Sequence, residues 1–362
     1  MTELPSPTPI ERTVFITHHA PDMENLSVEQ FTRISGELKK MGFSEHRFDV
    51  RWKSWAPDQQ KRNDAYIQRS ANLAKAAYSQ GLDPLVILST PPGWTYRNKS
   101  SAQIQTVFQE YAREVKRQFD IAGVPIPTIQ ILNELNNPVY TPSRFLKELP
   151  TLTQSVKEIF GAQTDVTATM VIAEPWANIE PFMEKHQREL SALTSIGLDF
   201  YPGSYQFNKN MLKPKSGQIV SHQVLEAIAT KGMKNIRPDF LALLQDQMTD
   251  VHEFTKAIER AKNLFPDKQI DLGEFGFPTL EPIQKRNPRH QILQRQAIQK
   301  ITDALVPVLD ANHIRKIGFY ELFDDKEFGV LNWGIINDRG EAKHIAYHLP
   351  TIITKLKGLP LN

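Results

Sequence analysis

Two glutamates stand where short apolar runs give way to turn residues. The run Thr-Ile-Gln-Ile-Leu at 128–132 leads into Asn133-Glu134-Leu135-Asn136-Asn137-Pro138. The run Gln-Ile-Asp-Leu at 269–272 leads into Gly273-Glu274-Phe275-Gly276-Phe277-Pro278. Taken singly, a glutamate in such a place is an ordinary loop residue. Two brought to one rim can divide the work of a displacement: one attacks an electrophilic carbon while the other delivers and later recovers a proton. Cleaving a glycosidic bond with retention asks for such a pair, with the carboxyl groups about 5–5.5 Å apart.

The elements that must carry them alternate regularly. Apolar, β-branched stretches at 13–18, 46–51, 85–90, 128–132, 166–172, 198–201, 269–273 and 316–320, bounded by Pro, Gly or Asn, read as strands. Between them, stretches such as 27–41, 61–80, 102–121, 144–160 and 289–309 carry apolar residues at helical spacing. Eight βα units predict a closed (β/α)₈ TIM barrel, in the α/β class. A doubly wound open sheet would show the same alternation, but it would gather polar residues at one switch point. Here they follow several different strands, as on the active face of a barrel. The expected layout is an N-terminal tail over residues 1–12 and a catalytic barrel over 13–362. A long, partly basic stretch at 207–237 reads as an enlarged loop after the sixth strand, either overhanging the site or merely solvated.

The two glutamate turns together resemble the retaining clan A glycoside hydrolases, whose catalytic glutamates end strands four and seven, and the resemblance implies Glu134 as the acid/base and Glu274 as the nucleophile. The resemblance covers most of the barrel, with features of the family 5, 39 and 53 enzymes and no one family fitting throughout. His46-Arg47-Phe48-Asp49-Val50-Arg51-Trp52, with Pro57 beyond, is similar to the clan's second-strand pattern Arg-Phe-x-x-x-Trp-x-x-x-x-Pro. It implies that Arg47 hydrogen-bonds near the nucleophile. Leu198-Asp199-Phe200-Tyr201-Pro202 resembles a sixth-strand Tyr-Tyr-Pro and implies that Tyr201 lies beside the nucleophile. Asn133 takes the place of the residue that holds the sugar 2-hydroxyl. The ending, with Asp338-Arg339-Gly340-Glu341-Ala342-Lys343 and Ala346-Tyr347, also resembles clan members. Ser89-Thr90-Pro91-Pro92-Gly93-Trp94 is similar to the third-strand end of some of them. At the end of strand eight, where the clan carries a tryptophan platform, this chain has Tyr320 or Phe323, with Trp333 in the following loop as a substitute.

A sugar site needs flat apolar faces and polar groups for hydroxyls. The expected substrate contacts are Trp94, Trp176 and Trp333 as platforms, joined by Tyr205, Tyr320 and, at the end of strand one, His18. A core role competes for each aromatic, and a barrel-interior ion pair with Asp49 or Glu174 competes for Arg47.

Composition removes other classes. A net charge of +2 from 43 basic and 41 acidic residues creates no large basic field, so nucleic acid is not an expected partner. Without cysteine there are no disulfides, thiolate metal sites or thiol nucleophile. His18 and His19 are adjacent, and period-two alternation sends them to opposite faces, unlike a barrel metal pair. His252-Glu253 and the pair His344, His348 lack the partners of a zinc motif. Neither a phosphate loop nor a Gly-x-Ser-x-Gly elbow occurs. No cofactor or metal is expected, and an oligo- or polysaccharide substrate is, with no membrane span and no obligate protein partner. The absent leader predicts a cytoplasmic protein, a trimmed secretory or periplasmic one being the alternative. A non-catalytic carbohydrate-binding barrel and a transglycosylase stay open beside the hydrolase.

Overall fold

The computed structural model describes residues 11–18, 26–89, 91–138, 140–172, 179–201, 207–208, 219–220, 251–277, 279–280, 288–324, 331–332, 334–337 and 341–360. Eight parallel strands close into a barrel: β1 (Thr13–His18), β2 (Glu45–Arg51), β3 (Asp83–Ser89), β4 (Thr128–Ile131), β5 (Asp165–Val171), β6 (Ser195–Phe200), β7 (Gln269–Phe275) and β8 (Lys316–Phe319). Each pairs with its sequence neighbour, and β8 returns to β1 through Thr13↔Lys316 to Ile16↔Phe319. The fold is a TIM barrel.

Among the described residues the longer helices outside are α1 (Val28–Met41), α2 (Asp64–Ser79), α3 (Ser101–Ala122), α4 (Ser143–Phe160), α5 (Ile179–Lys185), α6 (His252–Leu264), α7 (Pro288–Ala311) and α8 (Leu349–Leu356). Their ends follow from local chemistry. Ser27 and Ser100 each cap a helix start reciprocally with a glutamine three residues on, Gln30 and Gln103. Gly42 stops α1 at φ 102°, a left-handed conformation that glycine adopts without a Cβ penalty.

Alternation along each strand sorts side chains into two layers. On β2, His46, Phe48 and Val50 are buried outward; the rings of His46 and Phe48 stack 4.6 Å apart beneath Phe31 of α1. Arg47, Asp49 and Arg51 face the barrel axis. On β6, Ile196, Leu198 and Phe200 pack outward, Phe200 stacking on Phe254 of α6 at 5.1 Å, while Ser195, Gly197 and Asp199 point inward. At the lower end, the Lys316 ammonium lies 3.5 Å from Glu45, 3.7 Å from Asp165 and 3.0 Å from Thr128 Oγ1.

One irregularity positions the site. Leu198 pairs with Leu272 but Asp199 pairs with Glu274, leaving Gly273 as an extra residue in β7. The same slip appears against β8, where Ile317 pairs with Leu272 and Phe319 with Phe275. Such a bulge re-aims the residue that follows it. Glu274 is thereby turned to the axis instead of the helix layer. The bulged position has to be glycine: a Cβ there would clash with Asp199 Oδ1 and lie 2.8 Å from Thr169 Cγ2.

Of the enlarged loop expected after β6, residues 207–208 and 219–220 are described, and they form a short antiparallel pair. The rest of that stretch lies outside the described residues.

Candidate active site

Glu274 comes from the bulged end of β7 and is almost completely buried. Arg47 of β2 donates to its Oε1 through Nη2, and the Tyr201 hydroxyl, just past β6, donates to its Oε2. Both carboxylate oxygens are therefore held by donors on two other strands, and its orientation does not depend on the local turn. Asp49, one of the residues that competed for Arg47, is engaged elsewhere: it accepts from Arg51 Nε at 3.0 Å and from the Ser89 hydroxyl. Glu174 is outside the described residues.

Glu134 sits on the turn after β4, in a backbone that bends twice into the left-handed region, at Leu132 (φ 63°) and at Glu134 itself (φ 43°). Non-glycine residues hold that conformation only where the surroundings impose it. Here Leu132 N donates to Leu88 O at 2.9 Å, Leu135 N to Thr169 O at 2.8 Å, and Glu134 N to Thr169 Oγ1 at 3.2 Å. The turn is thus pinned to β3 on one side and β5 on the other. Asn136 extends the pinning with a two-way bond to Val171, Nδ2 to O at 2.8 Å and Oδ1 from N at 2.9 Å. Asn137 Nδ2 donates to Glu134 Oε2 at 2.6 Å.

Oxygens of Glu134, Asp199 and Glu274 all lie within 4.8 Å of one another. Burial and the nearby Glu274 charge push the Glu134 carboxyl up to about 7. Asn133 Oδ1 accepts from Gln130 Nε2 (3.2 Å), Arg47 Nη2 (3.4 Å) and Thr169 Oγ1 (3.4 Å), which turns the amide nitrogen of Asn133 the other way. Tyr320 follows β8 and packs edge-on against Tyr201, ring centres 5.7 Å apart.

The structure thus brings Glu134, Glu274, Asn133, Arg47, Tyr201 and Tyr320 together. His18 is a correction. Its ring is fully buried in the outer layer among Phe31, His46, Phe48 and Phe323, because on β1 it is Thr17, opposite Arg47, that takes the inward position. Phe323 shares that cluster, whereas Tyr320 packs on Tyr201, the donor to Glu274. Trp94 donates its indole N–H to Ala56 O at 3.0 Å, and the Arg62 guanidinium lies over its ring at 5.4 Å and over Trp55 at 4.9 Å. Its described partners brace the loops after β2 and β3. Trp176, Tyr205 and Trp333 lie outside the described residues. Sequence reading passed over Asp199, Asn137 and Tyr140. Asn137 was within the motif around Glu134, whereas Asp199 carried no signal beyond its inward place on a strand. Tyr140 lies near enough that the charges of Glu134 and Glu274, with burial, raise its phenol.

Among the described residues no helix is long and apolar enough to cross a membrane. No family model matches the chain, and no curated protein matches its sequence. Solved structures do resemble it. A β-glucosidase named 1317 aligns over 97% of this chain and 99% of its own, with TM-score 0.60 and 15% identity. A GH5_18 protein from Streptomyces cattleya, in complex with GlcNAc, aligns over 97% and 82%, with TM-score 0.65 and 14% identity. The GH1 β-glucosidase from Exiguobacterium antarcticum B7 aligns over 98% and 99%, with TM-score 0.63 and 14% identity. At such identities the likeness is one of fold: the barrel is of the kind found in glycoside hydrolases of families GH1 and GH5.

Proposed function

We propose that this protein is a glycoside hydrolase that cleaves β-linked oligo- or polysaccharides with retention, through a glycosyl-enzyme on Glu274. The observation that carries the reading is the convergence of two differently equipped carboxyl groups within 4.8 Å. That spacing favours direct attack by one of them over the wider gap of about 6.5–9.5 Å that an inverting enzyme needs for its water. Glu274 has Arg47 and Tyr201 as donors, which hold a carboxylate ready to attack. Glu134, raised to about 7 by burial and by Glu274, keeps a proton to give. A carboxyl raised by burial facing one whose oxygens are both held by donors is the pattern of an acid and a nucleophile.

In the first displacement Glu274 Oε attacks the anomeric carbon while Glu134 protonates the departing oxygen. Esterified Glu274 no longer carries the charge that raised Glu134, so Glu134 becomes acidic enough to act as the base toward water in the second displacement. Asn133, its carbonyl oxygen already engaged by three donors, offers its amide to the sugar 2-hydroxyl. Tyr320, over Tyr201, serves as the aromatic face, in place of the tryptophan of the resembled clan. The β-glycosidase names of the aligned structures favour a β-linked substrate.

The test is activity on a panel of β-linked glycans and aryl β-glycosides, with Glu134→Gln and Glu274→Gln beside the wild type. Glu134→Gln is expected to lower turnover of unactivated substrates by about 10²–10⁴-fold, and Glu274→Gln by at least as much, with folding retained by circular dichroism. A mechanism-based fluorosugar should label Glu274. Near-normal turnover in either variant contradicts the assignment.

A further inference from the structure

Asp199 places a third carboxyl group in this cluster. It points inward from β6, in register with Glu274 on β7, and is completely buried. One of its oxygens lies within 4.8 Å of an oxygen of Glu134 and of one of Glu274. The Thr169 side chain is its hydrogen-bonding neighbour, and among the described residues no donor meets either oxygen in full hydrogen-bond geometry. The barrel is carved to admit it, since the bulged Gly273 has no Cβ where Asp199 Oδ1 lies. Among the described residues, the groups that act on it are Glu274 on β7, Glu134 after β4, Arg47 on β2 and Thr169 on β5. Arg47 is the one cation among them, and it is already paired with Glu274. Burial and the charges of Glu274 and Glu134 push the Asp199 carboxyl well above the usual carboxylate range. An unpaired buried charge here would be costly, whereas a protonated acid is a hydrogen-bond donor.

Resting on the reading of Glu274 as nucleophile, we propose that Asp199 is a positioning residue that works as a neutral acid. It keeps its proton through the cycle and turns that O–H toward the Glu274 carboxylate, as a third donor beside Arg47 and Tyr201. No proton is transferred; the hydrogen bond forms when Glu274 carries charge and weakens when it is an ester. A donor of this kind assists the departure of Glu274 as a carboxylate, so its effect falls on hydrolysis of the glycosyl-enzyme rather than on its formation.

The test compares Asp199→Asn, which keeps shape and a donor, with Asp199→Leu, which keeps the outline without one. The substrates are dinitrophenyl β-glycosides, whose leaving group needs no proton and leaves the second step limiting. Asp199→Asn should keep kcat within about threefold on these substrates and, on an unactivated β-glycoside that does need the proton of Glu134, leave the alkaline limb of kcat/KM in place. Asp199→Leu should lower kcat by on the order of tenfold or more without lowering kcat/KM, so that KM falls at least in step. A wild-type kcat in Asp199→Leu overturns the proposal, as does an alkaline limb moved to lower pH in Asp199→Asn, which would mean that Asp199 had carried charge. The infrared difference between wild type and Asp199→Asn at neutral pH should show the carbonyl band of a protonated carboxylic acid. Its absence overturns the proposal whatever the kinetics, and this arm does not require Asp199→Leu to fold. If the band is present but Glu274 takes no fluorosugar label and no glycoside is turned over, the hydrolase reading has failed, and the donor role falls with it.

Discussion

At the scale of single residues, burial decides which carboxyl holds a proton. Glu134 titrates near about 7 because it is desolvated and faces Glu274. For the free enzyme, kcat/KM should therefore fall on the alkaline side with an apparent pKa of about 7, a value that belongs to the coupled cluster rather than to one group. The sign of the stability effect follows from the same shift. A carboxyl raised in the folded state binds its proton more tightly there than in the unfolded chain, so stability is lost as pH rises from about 4.3, the ordinary glutamate value, to about 7. Glu134→Gln removes that loss: it should melt about 2–4 °C above wild type at pH 8 and level with it at pH 5. Equal melting at both pH values would show that Glu134 is not strained by ionisation. His46 acts with the opposite sign, since burial lowers it to about 3 and neither ring nitrogen has a hydrogen-bond partner among the described residues. Below about 6.5 the unfolded chain takes up a proton that the folded protein refuses. His46→Leu should be at least as stable at neutral pH and should unfold at a lower pH on acid titration, a shift visible by tryptophan fluorescence.

At the scale of elements, the two carboxylates depend on two departures from regular structure. The β7 bulge at Gly273 turns Glu274 inward, and the doubly left-handed turn after β4 brings Glu134 to meet it. Neither departure is self-sustaining. Asn136 replaces strand pairing across β4 and β5 with its side-chain amide, and Asn136→Ala would leave the Val171 N–H and C=O without those partners. Loss of about 2–4 kcal/mol is expected by denaturant titration, and a freed turn should lower kcat as well, because Glu134 loses its fixed reach. Full activity in Asn136→Ala would place the rigidity of the turn elsewhere. Eight strand positions were readable from apolar β-branched runs within a few residues of their bounds, because period-two burial leaves its mark on composition. The bulge was not, since Gly-Glu-Phe-Gly reads the same with Glu274 facing the axis or the helices. Register is decided across strands, by Asp199 opposite Glu274.

At the scale of the molecule, closure of the barrel is a joint between the two ends of the chain. Arg12 is completely buried there: Nε donates to Ile314 O at 3.2 Å, Nη1 to Leu356 O at 3.0 Å, and Nη2 pairs with Asp310. One side chain thus ties the entry to β1 to the ends of α7 and α8. Arg12→Ala should cost about 2–4 kcal/mol, leaving buried carbonyls without donors, with little change in kcat since the joint lies at the end of the barrel opposite the carboxylates. A melting temperature unmoved by the substitution would show that strand pairing alone closes the barrel.

The residues by themselves determined the number and kind of elements, the face of each strand that is apolar, and the two glutamates that end β4 and β7. These are local properties, written in spacing and composition. Tertiary structure decided which polar groups meet. It drew Arg47 to Glu274 and left Asp49 to Arg51, and it buried His18 among aromatic rings outside the barrel. It also set Asp199 as a third carboxyl beside the other two. The reason is physical: electrostatic and hydrogen-bond partnership depends on distances of a few ångströms between residues far apart in the chain, and those distances come into being when the strands close and their register is set.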